Sequence, residues 1–117
     1  MYVARLLSAA GSVNNTLVCP TASKIFAIYC VVPAAAGKFL KIYNKNTAPA
    51  AGTDTPIATF YLAPTGVVGG VNKFEMSGSP IICPAGFGFA ITGAAADNDT
   101  TALTAADVQA LNIVYSA

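Results

Sequence analysis

The sequence predicts an all-β protein, an antiparallel β-sandwich of eight or nine short strands, and three observations carry that prediction. Runs rich in Val, Ile, Tyr, Phe and Thr recur along all 117 residues, and these are the residue types that fit a pleated, half-buried surface. Gly, Pro, Asn and Asp separate the runs at short intervals, as turns between strands require. The single helical candidate, residues 104–111, has a capping residue in Thr104 but no wide apolar stripe, so it predicts one turn at most.

Residues 2–7 read as a first strand and 13–19 as a second, joined through the small residues around Gly11. Residues 24–32 are apolar on both faces: Ile25, Ala27, Tyr29 and Val31 on one, Phe26, Ile28, Cys30 and Val32 on the other. Such a strand is expected to be covered on both sides. Pro33 and the Ala34–Gly37 tract end it. Residues 38–45 alternate, with Leu40 and Ile42 inward and Phe39, Lys41, Tyr43 and Lys45 outward. Residues 57–62 follow, then 71–76 with Phe74 and Met76 inward. Residues 80–83, with Pro80 at the head and Pro84 beyond, suit an edge. Phe87, Phe89 and Ile91 oppose Gly86, Gly88 and Ala90, and Leu111, Ile113 and Tyr115 mark a last strand. The expected core contains Ile28, Leu40, Ile42, Phe74, Phe89, Ile113 and Tyr115. With no linker or internal repeat, residues 1–117 read as one domain.

Composition narrows the function. The chain is 55% hydrophobic and 9% charged, whereas a soluble domain carries about a quarter charged residues. A surface so poor in charge suits a subunit packed against neighbours. No apolar run approaches the roughly 18 residues of a membrane-spanning helix, and no secretory leader is legible at the start, so no membrane partner is expected. Six scattered basic residues against five acidic ones offer no cluster for nucleic acid. Cys19, Cys30 and Cys83 sit in apolar strand contexts and read as buried, reduced thiols, consistent with folding in a reducing cytoplasm.

The chain has no His, which excludes Ser–His and Cys–His nucleophile systems and His-ligated metals. No enzyme, cofactor or metal is expected. The segment Asp97-Asn98-Asp99-Thr100-Thr101 is rich in oxygen but lacks the glycine and terminal glutamate of an EF-hand loop. It reads as a self-satisfied Asx-type turn rather than a Ca²⁺ site. Gly69-Gly70 and Gly86-Phe87-Gly88 open no helix bearing Lys and Ser or Thr, so they read as turns and close packing, not a phosphate cradle. The row Phe39, Lys41, Tyr43, Lys45 is the candidate partner interface, against the plainer reading of a solvent face with snorkelling lysines. As an anchor there, Tyr43 is expected to matter to docking and little to the fold.

Two segments carry a resemblance. Tyr43-Asn44-Lys45-Asn46-Thr47-Ala48-Pro49, continuing through Gly52-Thr53-Asp54-Thr55-Pro56-Ile57, is one. Gly86-Phe87-Gly88-Phe89-Ala90-Ile91-Thr92-Gly93, running through Ala94-Ala95-Ala96 into Asp97-Asn98-Asp99-Thr100-Thr101-Ala102, is the other. Together they resemble small structural proteins of tailed bacteriophage virions, above all capsid decoration, or cement, proteins. The resemblance implies a jelly-roll-like sandwich, commonly a homotrimer, placed on the virion surface against the major capsid protein and bridging capsomers. Asp97 and Asp99 complete the candidate partner interface. The alternative is a tail, fibre or surface module that binds a host receptor or glycan, with Tyr43, Tyr61 and the Asp97 loop available for it.

Overall fold

The computed structural model describes residues 1–66 and 70–117; the expected Gly69–Gly70 turn therefore lies partly outside the described residues. Among the described residues, nine strands form two antiparallel sheets packed as a β-sandwich. They are β1 (Tyr2–Ser8), β2 (Thr16–Cys19), β3 (Ser23–Val31), β4 (Lys38–Asn44), β5 (Ala58–Leu62), β6 (Asn72–Glu75), β7 (Ile81–Cys83), β8 (Phe87–Thr92) and β9 (Gln109–Ser116). One sheet has the order β1-β9-β3-β6, with β7 also paired to β3; the other has the order β2-β8-β4-β5. The pairing is nested. First strand meets last (β1·β9), second meets next to last (β2·β8), β3 meets β6 and β7, and β4 meets β5. The pairs β3·β9 and β4·β8 then close each sheet.

The core lies between the sheets and holds Ile25, Ile28, Leu40, Ile42, Phe89, Ile91, Leu111 and Ile113, all buried. Phe74 and Tyr115 pack against it from the margin, with Phe74 tilted on Phe60 at 5.0 Å and Tyr115 edge-on to Phe87 at 5.2 Å. Strand alternation therefore identified the core side correctly for every residue the sequence assigned to it.

β3 departs from the sequence reading. Its register slips between Ile25 and Ala27, leaving Phe26 as an extra residue, a β-bulge that flips the alternation. Ile25, Ile28, Cys30 and Val32 consequently all face the core, while Lys24, Ala27, Tyr29 and Val31 face outward. The outer side is not covered as expected: Tyr29 and Val31 are half-exposed. Residues 104–107 form a single turn, in which Thr104 N donates to Asp107 Oδ2 at 2.8 Å and Asp107 N to Thr104 O at 3.1 Å. Ala106, at φ 67°, ends it, and the β9 alternation takes over from Gln109.

All three cysteines are free and buried. Burial pushes the Cys30 thiol up to about 11, and burial with the nearby Cys19 does the same for Cys83. Only about one Cys30 or Cys83 in a thousand is then the reactive thiolate at pH 8. Iodoacetamide at that pH is expected to leave both unmodified in the folded protein and to label them in denaturant. Stoichiometric labelling of the native protein, read by intact mass, would show that this core opens.

Candidate functional site

The outer faces of the two sheets differ. On the β2-β8-β4-β5 sheet, register sets Phe39, Lys41 and Tyr43 outward beside Thr92, Ala90 and Gly88. The chain then roofs this row with the β4–β5 connection (45–57) and the first part of the β8–β9 connection (93–101). Pro49 of the first loop is buried and rests directly on Gly88, where a Cβ would lie 2.7 Å from its Cδ and 2.5 Å from Thr16 O. Gly52, at φ 89°, meets the second loop, and a Cβ there would fall 2.5 Å from Thr100 Cγ2. The two loops thus touch each other over the sheet. They fall within the two segments, 43–57 and 86–102, singled out in the sequence.

Each loop is stapled by an aspartate. Asp54 Oδ2 accepts from Lys45 Nζ at 2.6 Å and from Ala50 N at 2.8 Å, and the hydrogen bond from Lys45 is the main cause of its lowered pKa. Asp99 accepts from Thr101 Oγ1 at 2.8 Å, Thr101 N at 3.1 Å and Ala94 N at 3.2 Å. The Thr101 hydroxyl is the largest influence holding that carboxyl below its usual range. The turn is closed by Gly93 N donating to Thr101 O and Asp99 N to Ala96 O. This is the Asx-type turn the composition suggested.

Lys41 lies beneath it, fully buried. Its Nζ donates to Ala96 O at 2.6 Å, with a weaker second contact to Asp99 O at 3.5 Å. The ammonium occupies the inner side of the turn, turning backbone carbonyls inward as a bound cation does. Among the described residues no group of three Asp, Glu or Cys side chains could hold a metal ion. Tyr43 is also buried, and its hydroxyl has no hydrogen-bond partner among the described residues. Burial, then the charges of Asp54 and Asp97, pushes the Tyr43 phenol above its ordinary range.

These placements correct the sequence reading of the outer row. Lys41 and Tyr43 do point outward from the sheet, but the chain's own loops cover them, so they present no open surface. Lys45 is half-buried in its pair with Asp54. Phe39 stands outside the cap and packs on Tyr61 at 5.3 Å. Asp97 is exposed, and Asp99 faces its own turn. One signal in the sequence pointed to the cap: Gly86, Gly88 and Ala90 leave the outer row of β8 almost without side chains, as a sheet does where another backbone rests on it.

Among the described residues, no such roof covers the β1-β9-β3-β6 sheet. Its outer rows run Val3–Val114–Ala27–Glu75 and Arg5–Asn112–Tyr29–Lys73 across the strands. Leu7 and Ile82 on the same sheet, and Val71 just ahead of β6, are more than half exposed. Tyr29 Oη donates to Glu75 Oε1 at 3.0 Å, which, ahead of desolvation, raises the Tyr29 pKa. A depression of about 560 Å³ beside this sheet is lined by Val31, Pro33, Ala34, Pro64 and Thr65. Thr65 Oγ1 is already engaged there by Val32 N and O.

Comparison with protein-family models, with curated proteins and with solved structures found no match to this chain.

Proposed function

We propose that this protein is a non-enzymatic structural subunit of a tailed-phage virion, a capsid decoration protein that docks on the outer shell and stabilises it by bridging capsomers. The observation that carries the reading is the contrast between its two outer faces. One is closed by the chain's own loops. The other, among the described residues, leaves Val3, Leu7, Val71 and Ile82 exposed and Val31 and Val114 half-exposed, with Arg5, Lys24, Lys73 and Glu75 as the charged side chains among them. Large apolar patches rimmed by polar groups mark interaction sites. The nested strand pairing supports the jelly-roll reading of the sandwich, since that fold is a long antiparallel hairpin rolled into two sheets. The two resembling segments support the phage assignment, and their meeting in one cap accounts for their co-occurrence.

In this proposal the open face of the β1-β9-β3-β6 sheet lies on the capsid protein, and the cap faces away from the shell. A ligand that binds only the assembled lattice stabilises it by mass action, and contacts to several shell subunits multiply the effect. Purified particles of the encoding phage are expected to hold the protein in proportion to their shell subunits. Stripped particles should rupture at lower temperature and recover on adding the protein back. Ile82→Glu, exposed on that face, should fold normally and fail to rescue. A handful of copies per particle, with stripped particles as robust as complete ones, would overturn the reading in favour of a tail or receptor-binding module.

A further inference from the structure

The two sheets have four edges, and three are built to refuse another strand. β2 has four residues and a register slip before Cys19. β5 has five residues between Pro56 and Pro64. The far edge of the first sheet is broken between β6 and β7, of four and three residues, with Lys73 and Glu75 outward and Pro80 ahead of β7. Short strands, bulges, prolines and charges are the usual guards of a sheet edge. β1 has almost none of them. It runs for seven residues without Pro, Gly or bulge, in regular register with β9, and its other side pairs with no strand among the described residues. Met1, Tyr2, Val3 and Leu7 remain 78, 56, 60 and 68% exposed, and Arg5 is the one charged side chain on the strand.

We infer that β1 pairs with β1 of a second copy, antiparallel and about a two-fold axis through Ala4. The side chains specify the occupant and the register. Directly opposed residues of an antiparallel pair share a face, so the axis must fall on a residue if the inner and outer rows are to continue across the join. An axis on Arg5 would set the two guanidinium groups directly opposite, which is unfavourable. An axis on Leu6 would leave Met1 to Val3 beyond the end of the other strand. The axis on Ala4 pairs Met1 with Leu7, Tyr2 with Leu6 and Val3 with Arg5, each with its counterpart on the second copy. The apolar stem of Arg5 then lies over Val3 while its head reaches water, and the smallest side chain of the inner row meets itself on the axis. The join is made by the free backbone groups of the β1 edge, as in strand addition, with these side chains setting partner and register.

The pairing joins the two open faces into one continuous sheet. It is two-fold, in place of the three-fold assembly that the family resemblance implies, and it needs no shell, so it stands or falls apart from the decoration reading. Sedimentation velocity of the full chain at about 100 μM, above the micromolar Kd of ordinary self-association, should give a species of twice the 11.8 kDa chain mass. Val3→Lys sets like charges against Arg5 at two symmetric places and should raise the dimer Kd about tenfold or more, whereas Val3→Glu creates two ion pairs and should lower it. Circular dichroism on both variants checks that the exposed substitution leaves the fold intact. A folded wild-type protein that sediments as a monomer or a trimer overturns the inference. So does equal weakening by Lys and Glu, the result for a patch that is merely apolar.

Discussion

Replacing Tyr43 with Ala is expected to destabilise the protein by about 3–5 kcal/mol, the range for removing a large buried ring. Tyr43 is fully enclosed between β4 and the two cap loops, and the void would open under Pro49 and the Asp54 turn rather than collapse, because Lys45 and Ala50 hold that turn in place. Tyr43→Phe separates the ring from its hydroxyl. The hydroxyl is buried without a partner among the described residues, and such a group costs free energy to desolvate. The Phe variant is therefore expected to be more stable than the parent by about 1 kcal/mol. Urea denaturation of the three proteins tests both claims; a Phe variant weaker than the parent would mean that the hydroxyl is hydrogen-bonded in solution.

The second large effect is expected at Lys41. Lys41→Ala should cost about 3 kcal/mol or more, combining a cavity under the cap with the loss of a charge-assisted hydrogen bond. Lys41→Met keeps most of the stem volume and removes only the ammonium, so it should cost about 1–3 kcal/mol. Both variants should lose the order of residues 93–101 first, because Ala96 O is the closest acceptor of Nζ. Limited proteolysis, with cleavage sites mapped by mass spectrometry, reads this directly. Cleavage confined to 93–101 at temperatures where the sandwich remains folded is the expected pattern. A Met variant as stable and as resistant as the parent would remove Lys41 from its role as the internal cation of the turn.

The strands were legible because their signals are local. Leu40 and Ile42 alternate with Phe39, Lys41 and Tyr43, and Phe87, Phe89 and Ile91 alternate with glycines and alanine, so each strand declares its inner side within six residues. β3 resisted because both its faces are apolar: nothing in a run such as Ile25-Phe26-Ala27-Ile28 says where a bulge falls, and the slip is set by the register with β9. The cap was less legible still. Outward alternation correctly aimed Lys41 and Tyr43 away from the core, but what covers them comes from more than fifty residues further along the chain as well as from the adjoining loop. Periodicity reports which way a side chain points, not what the rest of the chain places there. The Asp99 turn was readable because its donors are its own near neighbours.

The nested pairing also dictates when the chain can fold as it is made. β1 leaves the ribosome ahead of the other eight strands, but its partner β9 follows all of them. β9 also lies between β1 and β3, so the sheet that contains β1 lacks an interior strand until all eight other strands have been made. The other sheet has its hairpin pair, β4 and β5, early, and gains β8 before β9 appears. A ribosome-bound chain can therefore assemble β2-β8-β4-β5 and pair β3 with β6 and β7 while β1 waits without its partner, the condition in which nascent β proteins recruit chaperones or aggregate. Non-local pairing of this kind also slows folding. Loss of the final eight residues of sheet would remove not a trailing edge but the strand that joins the beginning of the chain to its middle.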